Sequence, residues 1–210
     1  MKKAKETLRI LALILIISFL FSCNPIENET DSNSLLVLLS LRGSDVDNNV
    51  VDFLQSDVVF FDSVSGANTV ASDAAKVTFT TNSLDPNPVA VSSIYNTITV
   101  TRYIVSYLRS DGKSIEGVDV PYSFEGYMSS LIQPGMNTEI AFVIVRDVAK
   151  VEPPLINLAE GRGEGVLEVK AKVDFYGHDM TNHQVKATGY LSIFFANFAD
   201  KEAPTDEEEQ

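Results

Sequence analysis

Two stretches near the end of the chain constrain its fold more than any other feature. In residues 166–176 (VLEVKAKVDFY), Leu167, Val169, Ala171, Val173 and Phe175 alternate with Glu168, Lys170, Lys172 and Asp174. In residues 184–195 (QVKATGYLSIFF), Val185, Ala187, Gly189, Leu191, Ile193 and Phe195 alternate with Gln184, Lys186, Thr188, Tyr190 and Ser192. Successive side chains of a strand point to opposite faces, so a period of two gives each stretch one dry face and one wet face. The short polar segment between them predicts an antiparallel hairpin.

The rest of the chain reads as further strands. Residues 35–42 (LLVLLSLR) are an apolar run, 57–62 (DVVFFD) a short strand, and in 76–80 Val77 and Phe79 share one side. Residues 97–107 (TITVTRYIVSY) are β-branched and aromatic. Ile98 and Val100 share one face and Tyr103, Val105 and Tyr107 the other, which predicts a bulge near Thr101 and Arg102. Residues 120–127 (VPYSFEGY) begin a strand that Pro121 assigns to a sheet edge. Residues 139–148 (EIAFVIVRDV) are the most continuously apolar and are expected at a sheet centre, while 63–73 (SVSGANTVASD) read as a long loop. About eight strands without an amphipathic helix predict an all-β, Ig-like or fibronectin-like antiparallel β-sandwich. The chain has no Trp and one Cys, so an antibody-type core and an internal disulfide are both excluded.

That one cysteine, Cys23, ends an N-terminal segment of a different character. Lys2, Lys3, Lys5 and Arg9 precede an apolar run over residues 10–21. The run is the length of a signal-peptide core and too short for a membrane span of about 20 residues. Leu20-Phe21-Ser22-Cys23 resembles the bacterial lipobox. The resemblance implies a diacylglycerol on the Cys23 sulfur, cleavage before Cys23 and acylation of the new amino terminus. Two or more acyl chains hold a protein firmly on a membrane, where one holds weakly. By resemblance to a known sorting rule, Asn24 after the cysteine favours an outer membrane where the cell has one. The expected organisation is a signal peptide over residues 1–22, a lipidated Cys23 and flexible tether over 23–34, one sandwich domain over 35–199, and an acidic tail over 200–210. Apart from the covalent lipid on Cys23, no cofactor is expected.

Cleavage there would remove four basic side chains and one acidic one, moving the net charge from −13 to −16. A surface so acidic repels phosphate backbones and anionic headgroups, so no nucleic acid partner is expected.

A wider resemblance spans residues 75–200. Thr101-Arg102-Tyr103, Tyr107, Arg109, Asp111-Gly112 and residues 117–122 (GVDVPY) are similar to a family of bacterial lipoproteins without assigned activity. So are residues 152–155 (EPPL), Phe175-Tyr176-Gly177 with Asp179, and residues 197–200 (NFAD). The resemblance implies kinship and an Ig-like domain; it brings no catalytic residues with it.

Two clusters have the residue types of a metal site. His178, Asp179 and His183 fall at the tip of the predicted hairpin and offer two imidazoles and a carboxylate. Asp45, Asp47 and Asn49 place oxygens at positions 1, 3 and 5 of a calcium-type loop. Val50 stands where the EF-hand glycine belongs and Ser56 where its glutamate belongs, so the loop is not an EF-hand. Both clusters also read as ordinary turn chemistry, and no metal is assigned to either. The glycine-rich residues 161–165 (GRGEG) lead into a strand, not the helix N-terminus a phosphate cradle requires. With two histidines and no nucleophile elbow, no enzyme is expected. The sequence favours a membrane-anchored envelope module that binds a protein or glycan, the alternative being a small-ligand or metal-binding lipoprotein.

Overall fold

The computed structural model describes residues 32–62, 67–84, 94–160 and 165–198. The chain divides into residues 1–30 and 31–210, and every described residue belongs to the second unit. Cys23, most of the expected tether, residues 161–164 and the acidic tail lie outside the described residues.

Eleven strands follow in order: β1 (Ser34–Ser44), β2 (Val50–Val51), β3 (Phe53–Asp57), β4 (Phe60–Asp62), β5 (Ala67–Thr69), β6 (Asp73–Ser83), β7 (Ile98–Arg109), β8 (Phe124–Ile132), β9 (Thr138–Val145), β10 (Val166–Asp179) and β11 (Gln184–Ala196). Two short helices, α1 (Asp147–Lys150) and α2 (Leu155–Ala159), separate β9 from β10. One sheet has the order β2-β1-β6-β9 and the other β3-β11-β10-β7-β8, with β4 and β5 forming a small separate ladder. The fold is an all-β sandwich. Its first strands divide between the sheets, β1 pairing antiparallel with β6 and β3 parallel with β11.

The period-two hairpin forms as read. β10 pairs with β11 from Val166↔Ala196 to His178↔Gln184, and its alternate apolar residues are buried. The register shift between Val100 and Arg102 is the bulge that the change of face predicted. An aromatic cluster fills the space between the sheets. Phe79 meets Phe175 edge-on at 5.0 Å, and Phe142 lies 5.2 Å from Phe175 and 4.9 Å from Tyr103. Tyr103 lies against Gly126, in space that any Cβ would occupy. Tyr107 reaches across from the other sheet and donates its hydroxyl hydrogen to Ile144 O at 2.6 Å. Burial raises the Tyr107 pKa well above the usual phenol range, so it stays a donor.

Several expectations give way. Residues 139–148 do not form a central strand: β9 ends at Val145 and lies at the edge of its sheet. Its apolarity comes from one face on the core and from Val145 leading into α1, where Lys150 turns inward toward Asp73. One pairing, β3–β11, is parallel where antiparallel was expected; among the described residues nine strands build the two main sheets, in keeping with the expected number of about eight. Residues 57–62 break at Val58 between β3 and β4, and part of the expected loop at 63–73 pairs with β4 as β5. β8 is an edge strand, but it starts at Phe124 and leaves Pro121 in the preceding loop. Ser34, expected as the end of the tether, already opens β1.

Candidate functional site

The hairpin tip uses its polar atoms to make the turn. Asp179 is 4% exposed, and its Oδ1 accepts from Thr181 N at 2.8 Å, Thr181 Oγ1 at 2.7 Å and His183 N at 2.9 Å. Asn182 takes the left-handed conformation that closes the turn, with φ of 65°. Burial would raise the Asp179 pKa, but hydrogen bonds from Thr181, His183 and Ser32 hold it far below the usual carboxylate range. A hydroxyl with one hydrogen that donates to Asp179 must accept from His183, so His183 Nδ1, 2.7 Å from Thr181 Oγ1, carries its hydrogen. His178 and Asp179 are strand neighbours, and their side chains leave on opposite faces. His178 therefore does not join Asp179 and His183 around one point.

The 45–49 turn is similarly self-contained. Asp45 Oδ1 accepts from Asp47 N at 2.9 Å and Asn49 N at 2.8 Å, while Oδ2 accepts from Asn49 Nδ2 at 2.9 Å. Asn48, with φ of 64°, turns the chain from β1 to β2. Among the described residues, no three His, Cys, Asp or Glu side chains converge as metal ligands.

The outer face of the five-stranded sheet holds a constellation that period-two reading does not reveal. Register aligns Lys186, Tyr176, Arg102 and Tyr127 in one row across β11, β10, β7 and β8. Adjacent strands are about 4.8 Å apart, so the row is roughly 14 Å wide. The Arg102 guanidinium lies 4.2 Å from the Tyr176 ring centre and Lys186 Nζ lies 5.3 Å from it. Tyr127 is 78% exposed, and Tyr190, four residue pairs further along the sheet beside Lys172, is 59% exposed.

Asp174 supports this row from beneath. The alternation puts it on the wet face, yet it is nearly buried. Lys172 Nζ lies 2.9 Å from Oδ2, Lys186 Nζ lies 3.4 Å from Oδ1, and Thr188 Oγ1 donates to Oδ1 at 2.6 Å. Burial opposes its charge, but Thr188 and the two lysines outweigh burial and hold its pKa below the usual range. Burial lowers and Asp174 raises the Lys186 pKa; the attraction wins, so that ammonium keeps its charge above the ordinary lysine range. One covered carboxylate thus fixes two exposed ammoniums. Of the twelve basic residues after Cys23, four (Arg102, Lys170, Lys172 and Lys186) stand on this face. A clustering of lysines at outward positions of the hairpin is visible in the sequence; its junction with Arg102 and Tyr127 requires the register.

No protein-family model, curated protein or solved structure matches this chain.

Proposed function

We propose that this is an exported, lipid-anchored envelope protein whose sandwich is a non-catalytic binding module for an anionic glycan. The carrying observation is the row Lys186–Tyr176–Arg102–Tyr127, with Lys172 and Lys186 fixed by Asp174. Flat tyrosine rings offer apolar surface to the faces of sugar rings; Arg102 is paired with Glu125 at 3.2 Å, so Lys172 and Lys186, in the basic cluster of an otherwise acidic chain, are the cations that take carboxylates. Ammoniums already held in place lose little freedom on binding, which favours affinity. The lipobox-like ending at Cys23 and the resemblance to bacterial lipoproteins support the anchor. The expected partner is an acidic, carboxylate-bearing polysaccharide of the envelope, read by a sheet face rather than a cleft.

Affinity electrophoresis of the full chain through alginate, with dextran and polyglutamate as comparators, tests this. Alginate should retard it, and dextran should not. Tyr190→Ala and Lys172→Gln, checked by melting, should relieve the retardation. Equal retardation by polyglutamate, or none by alginate, would remove the glycan reading.

A further inference from the structure

Among the described residues, one end of the sandwich differs in chemistry from the rest. Register brings together the start of β1, the end of β6, the 94–97 turn before β7, the 133–137 turn between β8 and β9, and the β10–β11 tip. Ser34 Oγ donates to Asn96 Oδ1 at 3.0 Å, which ties the first strand of one sheet to the approach of the other. Scattered exposed apolar residues are normal on protein surfaces. Here they occupy one turn tip after another: Leu84, Ile94 (71% exposed), Tyr95 (69%), Met136 and Met180. Among the described residues of this end there is no Lys or Arg, and the one carboxylate, Asp179, is buried in its turn; the imidazoles of His178 and His183 and the Tyr95 phenol are its other ionisable groups. The opposite end is acidic, with Asp45, Asp47, Glu116, Asp119, Asp147 and Glu152.

We infer that this end, whose described turn tips are apolar and uncharged, lies against a lipid surface. The inference rests on the anchoring reading in one respect, the place where the chain enters. Ser32, the first described residue, packs at this end, and Cys23 lies nine residues upstream, within about 30 Å when fully extended. A membrane holding Cys23 therefore meets this end first. Strands of 11 to 14 residues set the acidic end roughly 40 Å away. That is several times the screening length of about 8–10 Å at physiological salt, so its charge does not oppose contact with anionic headgroups. Five apolar tips bind a bilayer weakly alone, but a tether converts their contact into an intramolecular event.

The absence of Trp allows a direct test. Tyr95→Trp and, at the far end, Val118→Trp are made in the full chain, reconstituted in vesicles of phosphatidylethanolamine and phosphatidylglycerol with brominated acyl chains. Residue 95 should show blue-shifted emission and at least twofold quenching, residue 118 neither, and Met136→Lys with Met180→Lys should abolish the quenching. Should the protein prove unlipidated, the anchoring reading alone fails; the free chain is then titrated with the same vesicles, and quenching of residue 95 still supports lipid contact. No quenching at saturating lipid, or equal quenching at both positions, overturns the inference. A blue shift in native envelopes without quenching in pure vesicles would also overturn it and assign the end to a protein.

Discussion

Lys150 Nζ lies 2.9 Å from Asp73 Oδ2 and donates to Asp57 O at 2.7 Å, with the lysine side chain 2% exposed. Ser56 Oγ donates to the same Asp73 oxygen at 2.6 Å. The pair pins α1 to the end of β3 and the start of β6. Breaking a buried pair leaves an uncompensated charge, so Lys150→Met should cost about 3–5 kcal/mol at pH 7. Burial raises the Asp73 pKa even with Lys150 and Ser56 opposing it. A carboxyl that binds its proton more tightly when folded loses stability as pH rises from 3.8 through its folded value. Removing Lys150 widens that window. Melts of Lys150→Met should therefore recover part of the loss as pH falls from 7 toward 4, and adding Asp73→Leu should recover most of it at pH 7.

Asp179 has the opposite sign. Its pKa is depressed, so its contribution is present above 3.8 and is lost as pH falls through the folded value. Asp179→Ala leaves the donors of Thr181 and His183 unpaired and should cost about 1–3 kcal/mol at pH 7. Between pH 4 and pH 2 the parent's melting temperature should fall more steeply than the variant's.

Val173 is wholly buried between the sheets, and Val173→Asp should unfold the domain, since an unpaired buried charge costs several kcal/mol. Lys172→Asp would be neutral if alternation were the whole account. In the structure it sets a second carboxylate beside Asp174, so it should cost about 1 kcal/mol and raise the Asp174 pKa, readable by carboxyl NMR titration.

Cys23→Ser should leave an unprocessed precursor that takes up no fatty-acid analogue. Normal processing and membrane retention in that variant would remove the lipoprotein reading.

The difference between Val173 and Lys172 shows what was legible in the sequence. Period two assigns faces within one strand, and it placed Val173, Phe175, Ile193 and Phe195 inside. It does not say which residues of separate strands share a row. Lys186, Tyr176 and Arg102 are local facts until register aligns them, and Asp174 looks solvated until two lysines cover it. Strand position was illegible for a related reason. β9 has the composition of a central strand, but it is an edge strand whose Phe142 and Ile144 face the core while Ala141 and Val143 stay exposed. His178, Asp179 and His183 have a metal site's chemistry, but strand alternation keeps His178 from joining the other two.

The described chain enters and leaves at opposite ends of the sandwich, which has a mechanical consequence. Ser32 leads into β1, whose Ser34 pairs with Ser83 at one end, and Phe198 follows β11, whose Ala196 pairs with Val166 at the other. A pull between Ser32 and Phe198 runs along the strands, so it slides β1 past β6 instead of peeling them apart. The rungs from Ser34↔Ser83 to Arg42↔Lys76 then bear load together. If the chain is tethered at its amino terminus as proposed, β1 resists traction in the direction in which that anchor would pull.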